Sequence, residues 1–370
     1  SLEWFINANL ILRGKAAISR EMHNFDEYTS PFNTKFYNVT DPKLKGSYAL
    51  GDSSKVAYEG RLELQYSKSF DKHQINAAAI SEIRSSDITG NSHLLSGYID
   101  DRFMTPQMAL TYSPNSLPKS NSTPVRELGF IGNFYYTYDN KYNFSLTGRS
   151  DGASIYGKEN RFASFWSTGL SYNVHNEPWF KNEYVNRLRL FANVGTNSTV
   201  SNFNAGMVSS AFNFLSGMFY NNQYAAVAVS QGNPNVRWPE QMQWSFGTDI
   251  SLFNNLVTMN LSYYDRITNR MISKVTVAPS FGFPGGTYFA NLGKASNKGF
   301  EAMANIRLLE RSDNAILWYL NVGAVQNRSK LLSISNELRE LNESLVSTDA
   351  SGNVIKPSTY YELLPAMLGQ

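Results

Sequence analysis

A hairpin with alternating side chains spans Gln241–Asn269 and constrains the fold more than any other stretch of the sequence. In its first arm, apolar residues such as Trp244 and Phe246 alternate with polar ones. Successive side chains of a β-strand point to opposite faces, so this arm has one apolar and one polar face. The turn is expected at Phe253–Asn255, because Asn tolerates the left-handed backbone of a short hairpin. The return arm alternates too, with Val257, Met259, Leu261 and Tyr263 on its apolar side.

Two architectures fit a single hairpin of this kind equally well, a soluble β-sandwich and a membrane-spanning β-barrel. Tilted arms of about ten residues match the thickness of a bilayer's hydrocarbon core. Charged residues make up 17% of the 370 residues and aromatic residues 14%. This composition is unlike a soluble surface, because soluble domains are about a quarter charged. No run approaches about 18 consecutive apolar residues, which excludes helical membrane spans but not barrels.

The rest of the chain repeats the alternating pattern, giving about a dozen strands in all. The clearest repeat is Lys55–Ser69, in which Leu62 lies on one face and Glu63 on the other. We predict strands at Trp4–Ser19, Lys55–Ser69, Gln74–Arg84, Arg126–Tyr138, Lys141–Ser150, Arg161–Asn173, Arg187–Gly195, both arms of the hairpin, Lys298–Leu309 and Ile316–Gln326. Further expectations are a brief pairing within Phe103–Tyr112, a helical turn within His175–Asn186, a helical or irregular segment at Ser329–Leu345 and a strand beginning within Tyr360–Leu368.

Short and long connections alternate between these strands. The short turns fall at Phe70–His73, Asp139-Asn140 and Phe253–Asn255, and the long connections at about residues 20–54, 85–125, 196–240, 267–297 and 327–360. A sandwich gives no reason for this alternation, whereas an outer-membrane barrel has short periplasmic turns and long extracellular loops. We therefore predict an all-β fold, an antiparallel transmembrane β-barrel in contact with outer-membrane lipid. Leu62 and Phe246 should face lipid, and Glu63 and Gly247 the lumen.

Several motifs occur in a fixed order between about residues 70 and 307. Their residues are Arg149, Asp151 and Gly152, then Asn160 and Arg161, then Asn233, Pro234 and Trp238, and finally Asn297, Lys298, Gly299, Phe300 and Glu301. Together they resemble the SusC/RagA family of TonB-linked (TonB-dependent) outer-membrane transporters, whose signatures include Arg-x-Asp-Gly-Ser and Asn-Pro-x-Leu-x-Trp-Glu. The sequence departs from that pattern at Ala153 and Ile155-Tyr156, where the family prefers Ser and an Arg-Phe pair. Pro239 is inserted before Glu240.

The resemblance implies a fold and a function. Family members form barrels of about 22 strands, filled by an N-terminal plug and preceded by a segment that contacts TonB. Residues 1–370 are then expected to be a partial barrel domain, a fragment without its plug. Contact with TonB-ExbB-ExbD would require the missing N-terminal part. A SusD-like surface lipoprotein would serve as a lid, and the imported substrate would be a glycan or a peptide.

The longest connection carries candidate substrate contacts. Flat aromatic rings beside amides suit sugar rings or peptide backbones. We predict substrate contacts from Phe219, Tyr220, Asn222, Tyr224 and Trp238. The alternative, that this loop packs against its neighbours or against a lid protein, stays open.

Other chemistry finds little support in the sequence. The four His residues stand apart without ligand spacing and Cys is absent, so we predict no metal site, no cofactor and no enzymatic activity. A net charge of +3 without a basic stripe argues against nucleic acid as a partner. Two alternatives to import remain: a structural or assembly barrel within a larger cell-envelope complex, and an outer-membrane barrel enzyme.

Overall fold

A computed structural model of the protein describes residues 1–114, 116, 118–180, 182–198, 207–221, 223–276, 287–311, 316–333, 347–348 and 354–355. The chain divides into two compact units. The first comprises Ser1–Leu2, Gly14–Leu62 and Glu82–Leu128, and the second Glu3–Arg13, Glu63–Ser81 and Gly129–Gln370. Among the described residues, no helix has both the length and the apolar character needed to span a membrane.

Antiparallel strands dominate the described residues. They are β1 (Leu2–Asn7), β2 (Leu10–Thr29), β3 (Ser47–Phe70), β4 (His73–Ser96), β5 (Thr111–Tyr112), β6 (Lys119–Tyr138), β7 (Tyr142–Ala153), β8 (Phe162–Asn173), β9 (Val185–Asn197), β10 (Ala211–Tyr220), β11 (Gln223–Ser230), β12 (Glu240–Leu252), β13 (Val257–Asn269), β14 (Ile272–Thr276), β15 (Thr287–Asn291), β16 (Lys294–Arg311), β17 (Ile316–Ser333), β18 (Ser347–Thr348) and β19 (Val354–Ile355). Short 3₁₀ helices lie at Thr34–Phe36, Pro42–Leu44, Pro106–Met108, Lys158–Asn160 and Val174–Asn176.

One sheet of 13 strands contains most of these elements, in the hydrogen-bonding order β1-β2-β3-β4-β6-β7-β8-β9-β12-β13-β16-β17, with β5 paired to β4. Three two-stranded sheets, β10–β11, β14–β15 and β18–β19, lie off this order. Each strand of the large sheet therefore pairs with strands that are near it in sequence. The predicted all-β fold of about a dozen antiparallel strands is confirmed.

The hairpin that dominates the sequence is formed by β12 and β13. Its pairing runs without a shift from Leu252↔Val257 to Glu240↔Asn269. At its turn, Phe253, Asn254 and Asn255 all adopt positive φ, so the expected left-handed turn is confirmed. The register places Phe246 opposite Tyr263, and their rings lie 6.1 Å apart on one face.

The prediction of one strand over Trp4–Ser19 is wrong, because β1 and β2 are separated by a tight turn. The Asn7 side chain accepts a hydrogen bond from the Asn9 backbone N–H at 2.8 Å, which closes the turn. Alternation of Ile6, Ala8 and Leu10 continues across this turn, so the periodicity alone does not reveal it.

Most strands extend further than the hydrophobic alternation indicates. The expected loop at about residues 20–54 contains the end of β2 and the start of β3, which leaves 30–46 as the connection. In the same way β4 continues to Ser96 and β6 begins at Lys119. Beyond the apolar band both faces of a strand are polar, so the period-two signal vanishes while the pairing continues.

Smaller expectations have mixed outcomes. The pairing within Phe103–Tyr112 is confirmed, because β5 pairs with β4 at Leu95↔Tyr112. The helical turn expected within His175–Asn186 is a 3₁₀ turn that begins at Val174. The segment expected to be helical or irregular from Ser329 begins as strand, since β17 reaches Ser333. The remainder of that segment and Tyr360–Leu368 lie outside the described residues.

The two faces of the sheet differ in their exposure. Leu62 and Phe246, predicted to face lipid, are 53% and 57% exposed. Glu63 on the other face is half-buried, and Gly247 is buried. Large apolar side chains of the same face are exposed on many strands, among them Leu64, Phe130, Leu146, Trp166, Leu170, Leu190, Trp244, Phe300 and Val322. A sandwich would bury this face, whereas a strand surrounded by lipid presents it outward.

Candidate functional site

Five buried residues lie at the end of β7 and in two connections, and we call them the tryptophan cluster: Ala153, Ile155, Tyr156, Val236 and Trp238. Tyr156 stacks on the Trp238 indole with ring centroids 4.4 Å apart and planes 20° from parallel. The indole Nε1 donates hydrogen bonds to the carbonyl oxygens of Asn160 at 3.1 Å and Arg161 at 3.3 Å. The cluster thereby joins the β7–β8 connection to the segment that leads into β12.

The backbones of these two segments approach each other closely at Gly157 and Pro234. A Cβ on Gly157 would lie 2.0 Å from the carbonyl oxygen of Pro234, so only glycine fits. The Gly157 carbonyl also accepts from the Asn160 backbone N–H at 2.8 Å, which closes the 3₁₀ turn behind it. Gly157 was not among the motif residues singled out from the sequence. Its only signal in the sequence is a glycine directly after the pair Ile155-Tyr156.

Two asparagine side chains replace missing backbone pairing beside the cluster. Asn233 donates from Nδ2 to the Phe289 carbonyl at 2.8 Å, which ties its segment to β15. Asn291 accepts from the Arg237 backbone N–H at 2.7 Å and donates to the carbonyls of Arg237 at 2.7 Å and Arg270 at 2.8 Å. These amides satisfy polar groups in connections that lie off the sheet ladder.

The signature residues of β7 flank the tryptophan cluster. Arg149 and Asp151 form an ion pair with each other on the polar face. A Cβ on Gly152 would lie 2.6 Å from the Phe162 ring, so glycine makes room for that ring. Arg161 is exposed, and its carbonyl accepts from the Ala153 backbone N–H at 3.0 Å. The Arg149–Asp151 ion pair therefore lies near the end of a strand, beside the connection that follows it.

The motif residues on β16 lie apart from this cluster and alternate between the two faces. Asn297 donates to Asn327 Oδ1 at 2.8 Å and Ser329 Oγ at 2.7 Å on the polar face. A Cβ on Gly299 would lie 2.4 Å from the Tyr264 ring, so this glycine also seats an aromatic ring. Glu301 belongs to the same face, opposite Ser262. Lys298 and Phe300 lie on the apolar face, opposite Asp265 and Tyr263.

The predicted substrate residues lie mainly on the hairpin β10–β11. Phe219 pairs with Tyr224 and Tyr220 with Gln223 in its register, and the Phe219 side chain is 62% exposed. Asn222 lies outside the described residues. Trp238 does not belong to the hairpin and is 8% exposed, which leaves a ligand little ring surface.

The base of this hairpin is anchored next to the tryptophan cluster. The Asn233 backbone N–H donates to the Met207 carbonyl at 2.9 Å, and the Gly232 N–H donates to Ser210 Oγ at 3.1 Å. A Cβ on Gly232 would lie 2.3 Å from the Ser209 carbonyl carbon. Asn233, which precedes Val236 of the tryptophan cluster, thus fixes the base of the β10–β11 hairpin. We call this arrangement the loop platform.

The polar face of the sheet carries amides and isolated charges. Asp249 accepts from Arg189 at 3.4 Å and from Asn260 at 2.6 Å. With Asn305 and Asn321, which bond each other at 2.6 Å, Asp249 and Asn260 line part of a cavity of about 630 Å³. Its lining also includes Arg187, which balances the charge of Asp249, and apolar side chains such as Met303. Among the described residues, no group of three His, Cys, Asp or Glu side chains could hold a metal ion.

Sequence reasoning missed a second buried core, which lies in the first unit. Tyr28, Tyr48 and Tyr98 pack with ring centroids 5.1–6.3 Å apart, and we call them the tyrosine cluster. Tyr28 donates to Asp101 at 2.9 Å and Tyr48 donates to Asp26 at 2.8 Å. Tyr98, which is 2% exposed, donates to the Thr105 carbonyl at 3.1 Å. The three tyrosines are 20 and 50 residues apart in sequence, so no local pattern marks them.

Burial affects the phenols in the connections. It raises the pKa of Tyr156 from 10.0 to about 12, because the charged phenolate would lose its water. Burial, followed by the nearby Tyr48, also raises the pKa of Tyr98. Both side chains are therefore neutral at ordinary pH and act as packing groups rather than as acids or bases.

Comparison with known proteins identifies related chains. A family model described as TonB dependent receptor-like, beta-barrel, matches residues 4–352. TonB-dependent receptor P26 of Formosa agariphila is 27% identical over 230 residues, which are 58% of this chain and 22% of that protein. TonB-dependent receptor SusC of Bacteroides thetaiotaomicron is 24% identical over 224 residues, 56% of this chain and 21% of that protein.

A solved structure shows the same fold. The structure of the RagAB peptide transporter matches with a TM-score of 0.80 and 20% identity, covering 96% of this chain and 38% of that chain. Each of these matches spans well under half of the relative's own length. The relatives are receptors and transporters rather than enzymes, which agrees with the expectation drawn from the sequence.

Proposed function

Because this chain belongs to the family of TonB dependent receptor-like β-barrels, we propose that it forms part of the wall and outer loops of an importer for oligosaccharides or peptides. Proteins of this family reside in the outer membrane of Gram-negative bacteria, and the chain is an outer-membrane β-barrel chain of the SusC/RagA type. The observation that carries the proposal is the loop platform, which anchors a hairpin with exposed aromatic residues at one end of the sheet.

The chemistry of the platform suits capture of a flat, hydrogen-bonding ligand. Phe212 and Phe219 are 63% and 62% exposed on β10, and their rings could stack on a sugar ring or a peptide plane. We assign Trp238 a supporting role, because its indole nitrogen already bonds two backbone carbonyls and its ring is covered by Tyr156. Phe219, Tyr220, Asn222 and Tyr224 remain the proposed substrate contacts.

We propose partners by analogy with the relatives. SusC and RagAB support a SusD-like lipoprotein on the outer surface, where a lid would close over the hairpin. The TonB complex would supply energy through a plug domain belonging to the whole protein. The nearly neutral polar face, with its 630 Å³ cavity, is suited to contact such a plug or a passing polar substrate.

Membrane topology gives the first test. We propose that the turns containing Asp71 and Asn254 are periplasmic and that the connections containing Tyr37 and Lys158 are extracellular. This chain has no Cys, so single cysteines introduced at these positions report cleanly. An impermeant thiol reagent on whole cells should label Tyr37→Cys and Lys158→Cys but spare Asp71→Cys and Asn254→Cys. The reverse pattern would overturn the topology.

Uptake gives the second test. In the full-length protein, Phe212→Ala with Phe219→Ala should reduce import at least tenfold. Phe32→Ala, which removes an even more exposed side chain from another connection, should change import little. Labelled oligosaccharides and labelled peptides would be offered separately to cells with and without the gene. Import of one class only would identify the substrate. Import of neither, despite normal abundance in the outer membrane, would favour the structural barrel.

A further inference from the structure

Four basic residues lie at one edge of the exposed apolar face, on β16 and β17. They are Lys294, Lys298, Arg328 and Lys330, and we call them the basic patch. Directly opposite residues of an antiparallel pair share a face. The register Asp265↔Lys298↔Arg328 and the neighbouring pair Ser296↔Lys330 therefore place these side chains on one surface. Lys298, Arg328 and Lys330 are exposed, and Lys294 is half-buried.

The basic patch begins where the apolar band ends. One row nearer the short turns, Tyr263 stands opposite Phe300, whose ring is 43% exposed. The rows beyond are apolar on the same face, formed by Leu261, Ala302 and Ala324, then Met259, Ala304 and Val322, then Val257, Ile306 and Leu320. A lipid-facing band flanked by aromatic rings ends at the headgroups of the bilayer. The basic patch is thus at headgroup depth.

The positive charge of β16 and β17 at this depth does not continue onto β12 and β9. On β12 and β9 the same row continues as Trp244 and Val194, and the next row as Met242 and Thr196. Those positions carry no charge. Positive groups at the membrane boundary attract anionic lipid headgroups, and Arg and Lys both bind phosphate well.

A buried carboxylate beside the patch lacks part of its hydrogen bonding. Asp265 is 6% exposed, and its Oδ2 accepts from the Lys298 ammonium at 2.9 Å. No described residue donates to its Oδ1. A buried acceptor of this kind is destabilising, so the carboxylate depends on the Lys298 ammonium for its stabilisation. A phosphorylated headgroup would contact the cations of the basic patch while Lys298 stays paired with this carboxylate.

We propose that the basic patch, with Asp265, binds the phosphorylated sugar headgroup of the outer-leaflet glycolipid, lipid A. Phosphate oxygens would contact Arg328 and Lys330, with Lys298 held between the phosphate and Asp265. This proposal rests on the outward placement of the long connections in the proposed function, since that placement puts the patch in the outer leaflet.

The test compares lipids and variants of the full-length protein in detergent, with bound lipid counted by native mass spectrometry. The wild-type protein should bind bisphosphorylated lipid A at least tenfold more tightly than lipid A stripped of both phosphates. Arg328→Gln with Lys330→Gln should remove most of that preference and leaves the Lys298–Asp265 pair intact. Lys35→Gln with Lys158→Gln removes the same charge from exposed connections and should bind as the wild type does.

Three results would overturn the proposal: equal binding of phosphorylated and stripped lipid A, an unchanged preference in the double variant, or tighter binding of phosphatidylglycerol than of lipid A. The comparison of lipids on the wild-type protein holds even if the double variant folds poorly. Import of substrate by the double variant is measured in parallel and should remain near normal. Loss of lipid binding with normal import separates this site from the proposed transport function.

Discussion

The tryptophan cluster and the tyrosine cluster solve the same problem by different means. Each is a small buried core that holds long connections in place. The tryptophan cluster depends on shape: Gly157 leaves room for the backbone of Pro234, and the Tyr156 ring covers the Trp238 indole. The tyrosine cluster depends on hydroxyl groups that donate to the carboxylates of Asp26 and Asp101. Packing by shape is sensitive to volume, whereas packing by hydrogen bonds is sensitive to single polar atoms.

The difference also concerns how the sequence departs from its family. Ala153, Ile155 and Tyr156 stand where the SusC/RagA pattern prefers Ser and an Arg-Phe pair, and all three are buried in the tryptophan cluster. An arginine at Ile155 would place a charge in a site that is 5% exposed. Tyr156, one of these departures, stacks on the Trp238 ring.

The largest effect is expected from Trp238→Ala. Removing the indole leaves a cavity under Tyr156 and takes the indole donor from two carbonyls, of which that of Arg161 keeps the Ala153 N–H, at a cost of about 3–5 kcal/mol. Hydrogen exchange of residues 153–161 in the full-length protein should accelerate more than a hundredfold. Trp179→Ala is the matched control, since Trp179 is 68% exposed and should shift exchange little. Equal effects at both positions would show that the tryptophan cluster does not hold residues 153–161 in place.

Gly157→Ala should come next in size. The added methyl group would lie 2.0 Å from the Pro234 carbonyl oxygen, so one of the two backbones must move, at about 1–3 kcal/mol. Gly148→Ala on β7 is the control, because a Cβ there meets nothing within 4 Å. Protease sensitivity of the 154–161 and 231–239 connections should rise for the first variant only. An unchanged digestion pattern in Gly157→Ala would show that shape is not decisive here.

Smaller effects are expected from the tyrosine hydroxyls. Tyr28→Phe removes a donor to the Asp101 carboxylate and should cost about 1.5 kcal/mol, at the lower end for a charged acceptor because the site is partly exposed. Tyr98→Phe removes a donor to a neutral carbonyl and should cost about 1 kcal/mol. Both are measured by hydrogen exchange of residues 30–46 and 97–112. A larger loss from Tyr98→Phe than from Tyr28→Phe would contradict the role given to the carboxylate.

The smallest effect, the ionisation of buried tyrosines, is expected only at alkaline pH. The pKa of Tyr156 is raised from 10.0 to about 12 by burial, so its packing contributes fully below pH 10 and is lost as the pH rises toward 12. Tyr98, whose pKa is also raised by burial, should weaken its own connection from pH 10 upward. Tyrosinate absorbance of the protein minus that of Tyr156→Phe isolates the first group. A midpoint at the ordinary value near 10.0 would show that Tyr156 is in contact with water.

Much of the fold and part of the site could be predicted from the residues alone. Alternation in β12 and β13 determined the strand, its faces and its turn, because side-chain direction in a strand has a period of two wherever it lies. The order of the motifs indicated the family. Strand ends such as those of β2 and β3 were missed, since alternation stops at the edge of the apolar band while backbone pairing continues.

Only the tertiary structure decided what the motifs do. Arg149 and Trp238 both belong to the family motifs, but their roles differ. Arg149 forms an ion pair near the end of a strand, whereas Trp238 belongs to a buried core. The contact between Tyr156 and Trp238, the approach of Gly157 to Pro234 and the alignment of Asp265, Lys298 and Arg328 each join residues distant in sequence. A local period determines the direction of a side chain. The neighbour it meets depends on strand register and loop packing, which the chain acquires only when it folds.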